Sequence, residues 1–163
     1  MEKKIKNQNG YTLIELLVYL SIVTISVIVF TTFVVNVTKN SARAEMKQEL
    51  QENARVVGNR LTQNIRQAEG IDPANSLFDV VDGQLALNKS AAPDITFRLL
   101  DNAVVYNNGT NDYVLTNDKV KVTKMQFSQT ADLVKIELTL EQSNDPTSTF
   151  SLHTAVLARQ SIY

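Results

Sequence analysis

From Leu16 to Val35 the chain reads LLVYLSIVTISVIVFTTFVV, twenty residues without a charge. A helix rises about 1.5 Å per residue, so a run of this length matches a hydrocarbon core of about 30 Å. Apart from Tyr19, its polar residues are Ser and Thr. Their hydroxyls can bond to carbonyls of their own helix and are tolerated in lipid. Helices buried in soluble cores rarely stay uncharged this long. A cleavable secretory signal has an apolar region of only about 7–15 residues, closed by a small-x-small site, and this run fits neither condition. Lys3, Lys4 and Lys6 precede it. Positive charge on that side predicts a cytoplasmic N-terminus.

Composition narrows the chemistry of the remainder. The chain has 163 residues, one His and no Cys. It therefore has no disulfide framework, no thiolate metal site, no thiol nucleophile and no multi-His centre. The net charge of −1 hides an uneven layout. Residues 71–163 carry eleven acids and seven bases, while residues 38–70 carry six bases and four acids.

The junction before the apolar run is KNQNG followed by YTLIELLV. Gly10 closes a short basic leader, Tyr11 opens the apolar segment and Glu15 sits at the edge of the uncharged run. A charged group near the bilayer centre costs roughly 2.5–3.5 kcal/mol on insertion scales, and less near an interface. A carboxylate in that position needs a cation. A cut after Gly10 would supply one, because Tyr11 would then carry a new α-amino group one helical turn from Glu15, or beside the Glu15 of a neighbouring chain.

Gly10-Tyr11-Thr12-Leu13-Ile14-Glu15-Leu16-Leu17-Val18 resembles the cleavage and methylation motif of type IV pilins and type II secretion pseudopilins. The resemblance implies a membrane-embedded prepilin peptidase that cuts between Gly10 and Tyr11 and methylates the new amine of Tyr11. It also implies an assembly role for Glu15. The usual first mature residue of that family is Phe, and here an aromatic ring is kept as Tyr11. The motif covers only the first fifth of the chain.

After Val37 an amphipathic pattern begins. Ala42, Met46, Leu50, Ala54, Val57, Leu61, Ile65 and Ala68 recur at intervals of three and four, one face of an α-helix. Arg43, Lys47, Glu49, Glu52, Asn53, Arg55 and Arg60 fall on the other faces. No Pro occurs before Pro73, and Gly70 follows the last periodic residue as a stop signal. One helix from about Thr12 to Glu69 is expected. The stretch QELQENARVVGNRLTQNIRQAEGI resembles the helix of minor pilins and J-type minor pseudopilins. Many major pilins carry a Pro in the membrane half of the helix and a C-terminal Cys pair. This chain has neither, which leans toward a minor subunit.

From Ile71 alternation replaces the helical period. Asp82-Gly83 between FDVV and QLAL predicts a tight hairpin. Asp101-Asn102 and Asn108-Gly109 mark further turns. Ile95, Phe97 and Leu99 alternate with polar residues, as do Val134, Ile136, Leu138 and Leu140. The apolar phase shifts between Val122 and Met125, which predicts a bulge near Thr123-Lys124. The fold class is therefore α+β: a long N-terminal helix packed on a C-terminal antiparallel β-sheet head, pilin-like. The organisation reads as a leader over 1–10, a transmembrane and assembly helix over 11–37, its amphipathic continuation over 38–70 and a β-rich head over 71–163.

Nothing in the head nominates catalysis. His153 falls on the polar face of a strand without a partner nucleophile. The oxygen-rich NNGTND at 107–112 lacks the alternating acids of a calcium loop and reads as turn chemistry. The acidic head makes nucleic-acid binding through the head alone unlikely on charge grounds. No phosphate loop, dinucleotide fingerprint or nucleophile elbow is present. We expect no enzyme, no cofactor and no metal. The expected function is a structural minor subunit of a type IV pilus, competence or type II secretion filament. The expected partners are prepilin peptidase, other pilin or pseudopilin subunits through the N-terminal helix, and the inner membrane. The chain would be a single-pass inner-membrane protein before assembly, with its head periplasmic or extracellular, and part of a filament afterwards. The alternative is a filament-tip binding module whose head recognises a surface, DNA or secreted cargo.

Overall fold

The computed structural model describes residues 12–89 and 93–158. They form one helix, α1 (Leu13–Gln67), followed by eight strands. The chain divides into two compact units, one ending at Arg43 and one starting at Ala44.

In the first unit, every hydroxyl of the apolar run turns back onto its own helix. Ser21 Oγ donates to the Val18 carbonyl at 2.8 Å. Thr24, Ser26, Thr31 and Thr32 donate to the carbonyls of Leu20, Ile22, Val27 and Ile28 at 2.8–2.9 Å. These bonds remove the polarity that lipid would otherwise penalise. The large side chains of this stretch all face outward; Phe30 is 68% and Leu20 60% exposed.

In the second unit, α1 buries a stripe. Leu50, Ala54, Val57, Leu61 and Ile65 are fully buried, and Ala68 just beyond the helix is nearly so. The stripe's expected first members differ: Ala42 is exposed and Met46 is half-buried. Asn53, on a face expected to be polar, is buried, and so is Asn64. Each Nδ2 donates to the carbonyl one turn back, that of Glu49 at 2.9 Å and of Arg60 at 2.8 Å. Asn53 Oδ1 accepts the backbone N–H of Asn117 at 3.0 Å. The polarity is thus spent on holding a loop of the head to the helix, which binary patterning cannot reveal.

The helix ends at Gln67, two residues short of the expected Glu69, and Gly70 does not stop it as a cap. Gly109 is the one glycine at positive φ among the described residues, so Gly70 is no left-handed cap. Instead the chain passes directly into β1 (Gly70–Ile71), and Glu69 N–H donates to the Asn88 carbonyl at 3.1 Å. Only two residues separate the helix end from the sheet, and the Glu69 N–H is already part of the pairing with the strand that holds Asn88.

The strands form two antiparallel sheets, where the sequence suggested one. The first runs in the order β1, β2 (Leu85–Asn88), β3 (Ile95–Leu100), β4 (Ala103–Asn107), β5 (Asp112–Val114). The second holds β6 (Val120–Thr130), β7 (Leu133–Gln142) and β8 (Asp145–Leu157). Val122 N–H donates to the Asn102 carbonyl at 2.8 Å, joining the two sheets. The inner faces of both sheets and the helix stripe make one core, with Phe97, Phe127, Met125 and Ile136 among its largest buried side chains. Arg60 on the helix stacks over the Tyr106 ring at 4.8 Å.

Local turn chemistry accounts for most connections. Asp101 and Asn102 both take positive φ, 51° and 61°, between the paired residues Leu100 and Ala103. That is a two-residue hairpin turn whose twist suits the strands. The expected bulge is present, with a register shift between Val122 and Lys124. The tight hairpin expected at Asp82-Gly83 is absent. FDVV forms no strand, and a Leu77–Gln84 bridge closes a wider loop. Gly83 has a different task. Its N–H donates to the Met125 carbonyl at 2.7 Å, and a Cβ there would lie 2.8 Å from that same oxygen. The glycine lets the loop lie against β6.

Gly58 is explained in the same way. A Cβ built on it would lie 2.8 Å from Leu152 Cδ2 of β8. The glycine admits close approach of strand to helix at a propensity cost of about 1 kcal/mol. Leu61, one turn on, is wholly enclosed. We expect residues 38–163 to fold as a soluble domain. In that domain Leu61→Asn is expected to lose about 3–5 kcal/mol, from lost burial plus an unpaired amide. Thermal melts of the two domains check this; equal melting temperatures would remove the stripe from the core.

Candidate functional site

Gly10 and Tyr11 lie outside the described residues. The described part of the junction begins at Thr12, and its geometry is a helix start. Leu16 N–H donates to the Thr12 carbonyl at 3.2 Å, the first bond of α1. Thr12 Oγ1 accepts the Glu15 backbone N–H at 3.3 Å. Thr12 is therefore the N-cap and Glu15 the third helical residue, as in the Thr-x-x-Glu capping pattern. Sequence reasoning missed this cap, although the spacing Thr12 to Glu15 was there to be read.

Glu15 is thereby fixed at the mouth of the helix. The unpaired N–H groups of a first turn carry partial positive charge and favour a carboxylate. Glu15 is half-buried, whereas its neighbours Ile14 and Leu16 are 71% and 60% exposed. Tyr19 OH donates to Glu15 Oε1 at 3.1 Å. The structure thus brings Thr12, Glu15 and Tyr19 onto one stripe, and Glu15 is the member that carries charge. Beyond them α1 continues as the apolar stretch, whose mean hydropathy of 2.5 over eighteen residues makes it long and apolar enough to cross a membrane.

Amide oxygens of the head's oxygen-rich loop are engaged within the loop itself. In the NNGTND loop, Asn107 Oδ1 accepts the Gly109 N–H at 2.6 Å, and Asn108 Oδ1 accepts those of Thr110 and Asn111 at 3.0 and 2.8 Å. Asp112 takes Asn107 Nδ2 and Arg98 Nη2, each at 2.6 Å. These oxygens serve the turn, in keeping with its reading as turn chemistry. Among the described residues, no three His, Cys, Asp or Glu side chains converge as a metal site would require.

Among the acids of the second unit that identifiable partners hold low are Glu49, on α1, and Glu137, on β7. Burial works to raise the Glu49 carboxyl, but Lys119, Gln142 and Asn117 outweigh it and hold it below the usual range. Asn117 Nδ2 lies 3.2 Å and Lys119 Nζ 3.1 Å from its Oε1. Glu137 is held low by the Lys124 ammonium, which donates to Oε2 at 2.6 Å. His153 Nδ1 lies 3.9 Å from Glu137 Oε1 and is well exposed. This is a cross-strand cluster on the outer face of the second sheet.

Comparison with known proteins agrees with the geometry. The prokaryotic N-terminal methylation motif matches residues 5–31. That stretch spans Gly10, Tyr11, the cap, Glu15 and most of the apolar run. The match supports the type IV pilin-like family, and the α+β fold, with one long N-terminal helix and antiparallel sheets, is consistent with it. The class is structural, and the apolar N-terminal helix with this motif fits a protein anchored in the inner membrane. No curated protein and no solved structure matches the chain.

The Lys124–Glu137 pair yields a pH dependence. The folded-state value of Glu137 is depressed, so its contribution is present above the unfolded carboxylate value and is lost as pH falls through the folded one. We expect Lys124→Met to melt slightly below wild-type at neutral pH. The gap should close as acid protonates Glu137. Melts of the soluble domain across pH 7 to about 3 check this; a gap that stayed constant or widened in acid would contradict the pairing.

Proposed function

We propose that the chain is made as a prepilin and inserted with its N-terminus inside. Prepilin peptidase cuts after Gly10 and methylates the amine of Tyr11, and the product joins a filament through α1. The head then lies on the outer side of the membrane. The observation that carries this reading is a capped helix start holding one carboxylate, Glu15, at the head of an uncharged run, inside the matched methylation motif. We favour a minor pilin or J-type minor pseudopilin, on the resemblance of residues 48–71 and the lack of both Cys and a membrane-half Pro.

In this reading Glu15 serves assembly. A salt bridge in water is worth little. In lipid the alternative is an isolated carboxylate or ammonium, so each group needs the other. Between chains the pairing sets the axial stagger of neighbouring helices, because only one offset brings amine and carboxylate together.

Intact mass of filament-derived protein is expected to show a chain beginning at Tyr11, shortened by ten residues from the 163 encoded. The same sheared material should contain less of it than of the major subunit. Met1 still attached in assembled protein would overturn the processing, and dominance in the filament would overturn the minor role.

Glu15→Ala is expected to leave insertion and cleavage largely intact, since the cut lies at Gly10. Filament incorporation should fall sharply. Glu15→Asp should be intermediate, because the charge survives and the reach shortens. The ratio of filament-incorporated to membrane-retained protein measures this; wild-type incorporation of Glu15→Ala would remove the carboxylate from the assembly contact.

A further inference from the structure

The Tyr19 hydroxyl lies one turn beyond Glu15 and donates to its Oε1 at 3.1 Å. Side chains on a helix lean toward its N-terminus, so a residue at i+4 reaches back over residue i. Tyr19 meets that geometry, and its ring stays 51% exposed. A tyrosine near a membrane interface often only places its hydroxyl among headgroups. Here the hydroxyl is on a carboxylate, and Glu15 is the one Asp, Glu, Lys or Arg between Lys6 and Lys39.

We infer that Tyr19 is a positioning residue for Glu15: its hydroxyl holds one carboxylate oxygen in place and leaves the other to meet a cation of a neighbouring chain. This rests on the assembly role proposed for Glu15.

Three physical consequences favour the arrangement. A free Glu side chain loses rotamer entropy when it is fixed in a contact. Fixing it beforehand lowers the cost of association. In lipid, where water cannot complete a carboxylate's hydrogen bonds, an internal donor reduces its desolvation penalty. The donor also comes from the same helix, so its offset from Glu15 is constant in every subunit. The other polar side chains of the run cannot replace it. Ser21, Thr24 and Ser26 give their hydroxyls to backbone carbonyls of their own helix.

The test compares Tyr19→Phe in two backgrounds of the full chain, wild-type and Glu15→Asp, with Glu15→Ala alongside. Phe keeps the ring and removes only the donor. Asp shortens the carboxylate by one carbon–carbon bond and withdraws it from a hydroxyl already at 3.1 Å. The readout is the ratio of filament-incorporated to membrane-retained protein, with cleavage followed by mass. Tyr19→Phe is expected to lower incorporation about three- to tenfold in the wild-type background, the worth of one hydrogen bond. In the Glu15→Asp background it should lower it no further. Wild-type incorporation of Tyr19→Phe, with Glu15→Ala still excluded, would overturn the positioning role and leave that of Glu15 standing. An equal loss in both backgrounds would also overturn it, since the hydroxyl would then act elsewhere. Full incorporation of Glu15→Ala would overturn both.

Discussion

One unbroken helix has to satisfy two solvents, and the rest of the molecule follows from that demand. A helix pairs its own backbone groups along its length, so it can pass from lipid to water without a change in secondary structure. What must change is its surface. In α1 the apolar side chains surround the helix up to Val37, and from Leu50 they collapse onto one buried stripe. The hydroxyls of the first stretch are tied to carbonyls one turn back, so they add no unpaired polarity there. No proline interrupts residues 13–67, and a kink in either part would have broken the continuity.

The head is organised around the second part of that helix. Its packing uses small residues where strands come close and polar residues where loops are held. Gly58 admits Leu152, and Ala54 is enclosed beside it. Asn53 and Glu49 hold the segment from Asn117 to Lys119 to the helix. Removing one partner of such a buried bond leaves the other unsatisfied, which costs more than the bond itself contributes. The polar clamp therefore restricts the loop's placement more than it adds to stability.

Much of this was legible along the chain, and the misses share a cause. The helix, its stripe from Leu50 to Ile65 and the bulge at Val122–Lys124 follow from periods that local sequence displays. The division into two sheets depends on which strands pair across distance, and alternation alone says only that each has two faces. Asp82-Gly83 resembles a hairpin turn by letters, yet Gly83 is a point of contact with Met125, a partner far along the chain that local letters do not announce. Gly70 looked like a helix cap because Gly usually caps, yet it is the first residue of β1 and pairs with Asn88. At the candidate site the cap was readable from Thr12 and Glu15 alone. It lay hidden because the same letters also spell the cleavage motif.

The double use of those letters has a physical logic. A cap fixes where a helix begins, and so fixes the depth of every later residue relative to the first turn. If the proposed processing occurs, the new amine belongs to the residue just before the cap. Glu15 itself stands at a fixed place after Thr12, as the third residue of the helix. Before processing, the carboxylate already has the first-turn N–H groups and the Tyr19 hydroxyl to face. These donors lower the cost of a carboxylate at the edge of lipid, and an ammonium is still needed to neutralise it. A glutamine could accept the same hydroxyl but would not attract an ammonium, and an aspartate would keep the charge but fall short of the hydroxyl. Glutamate is the side chain that meets both demands at this position.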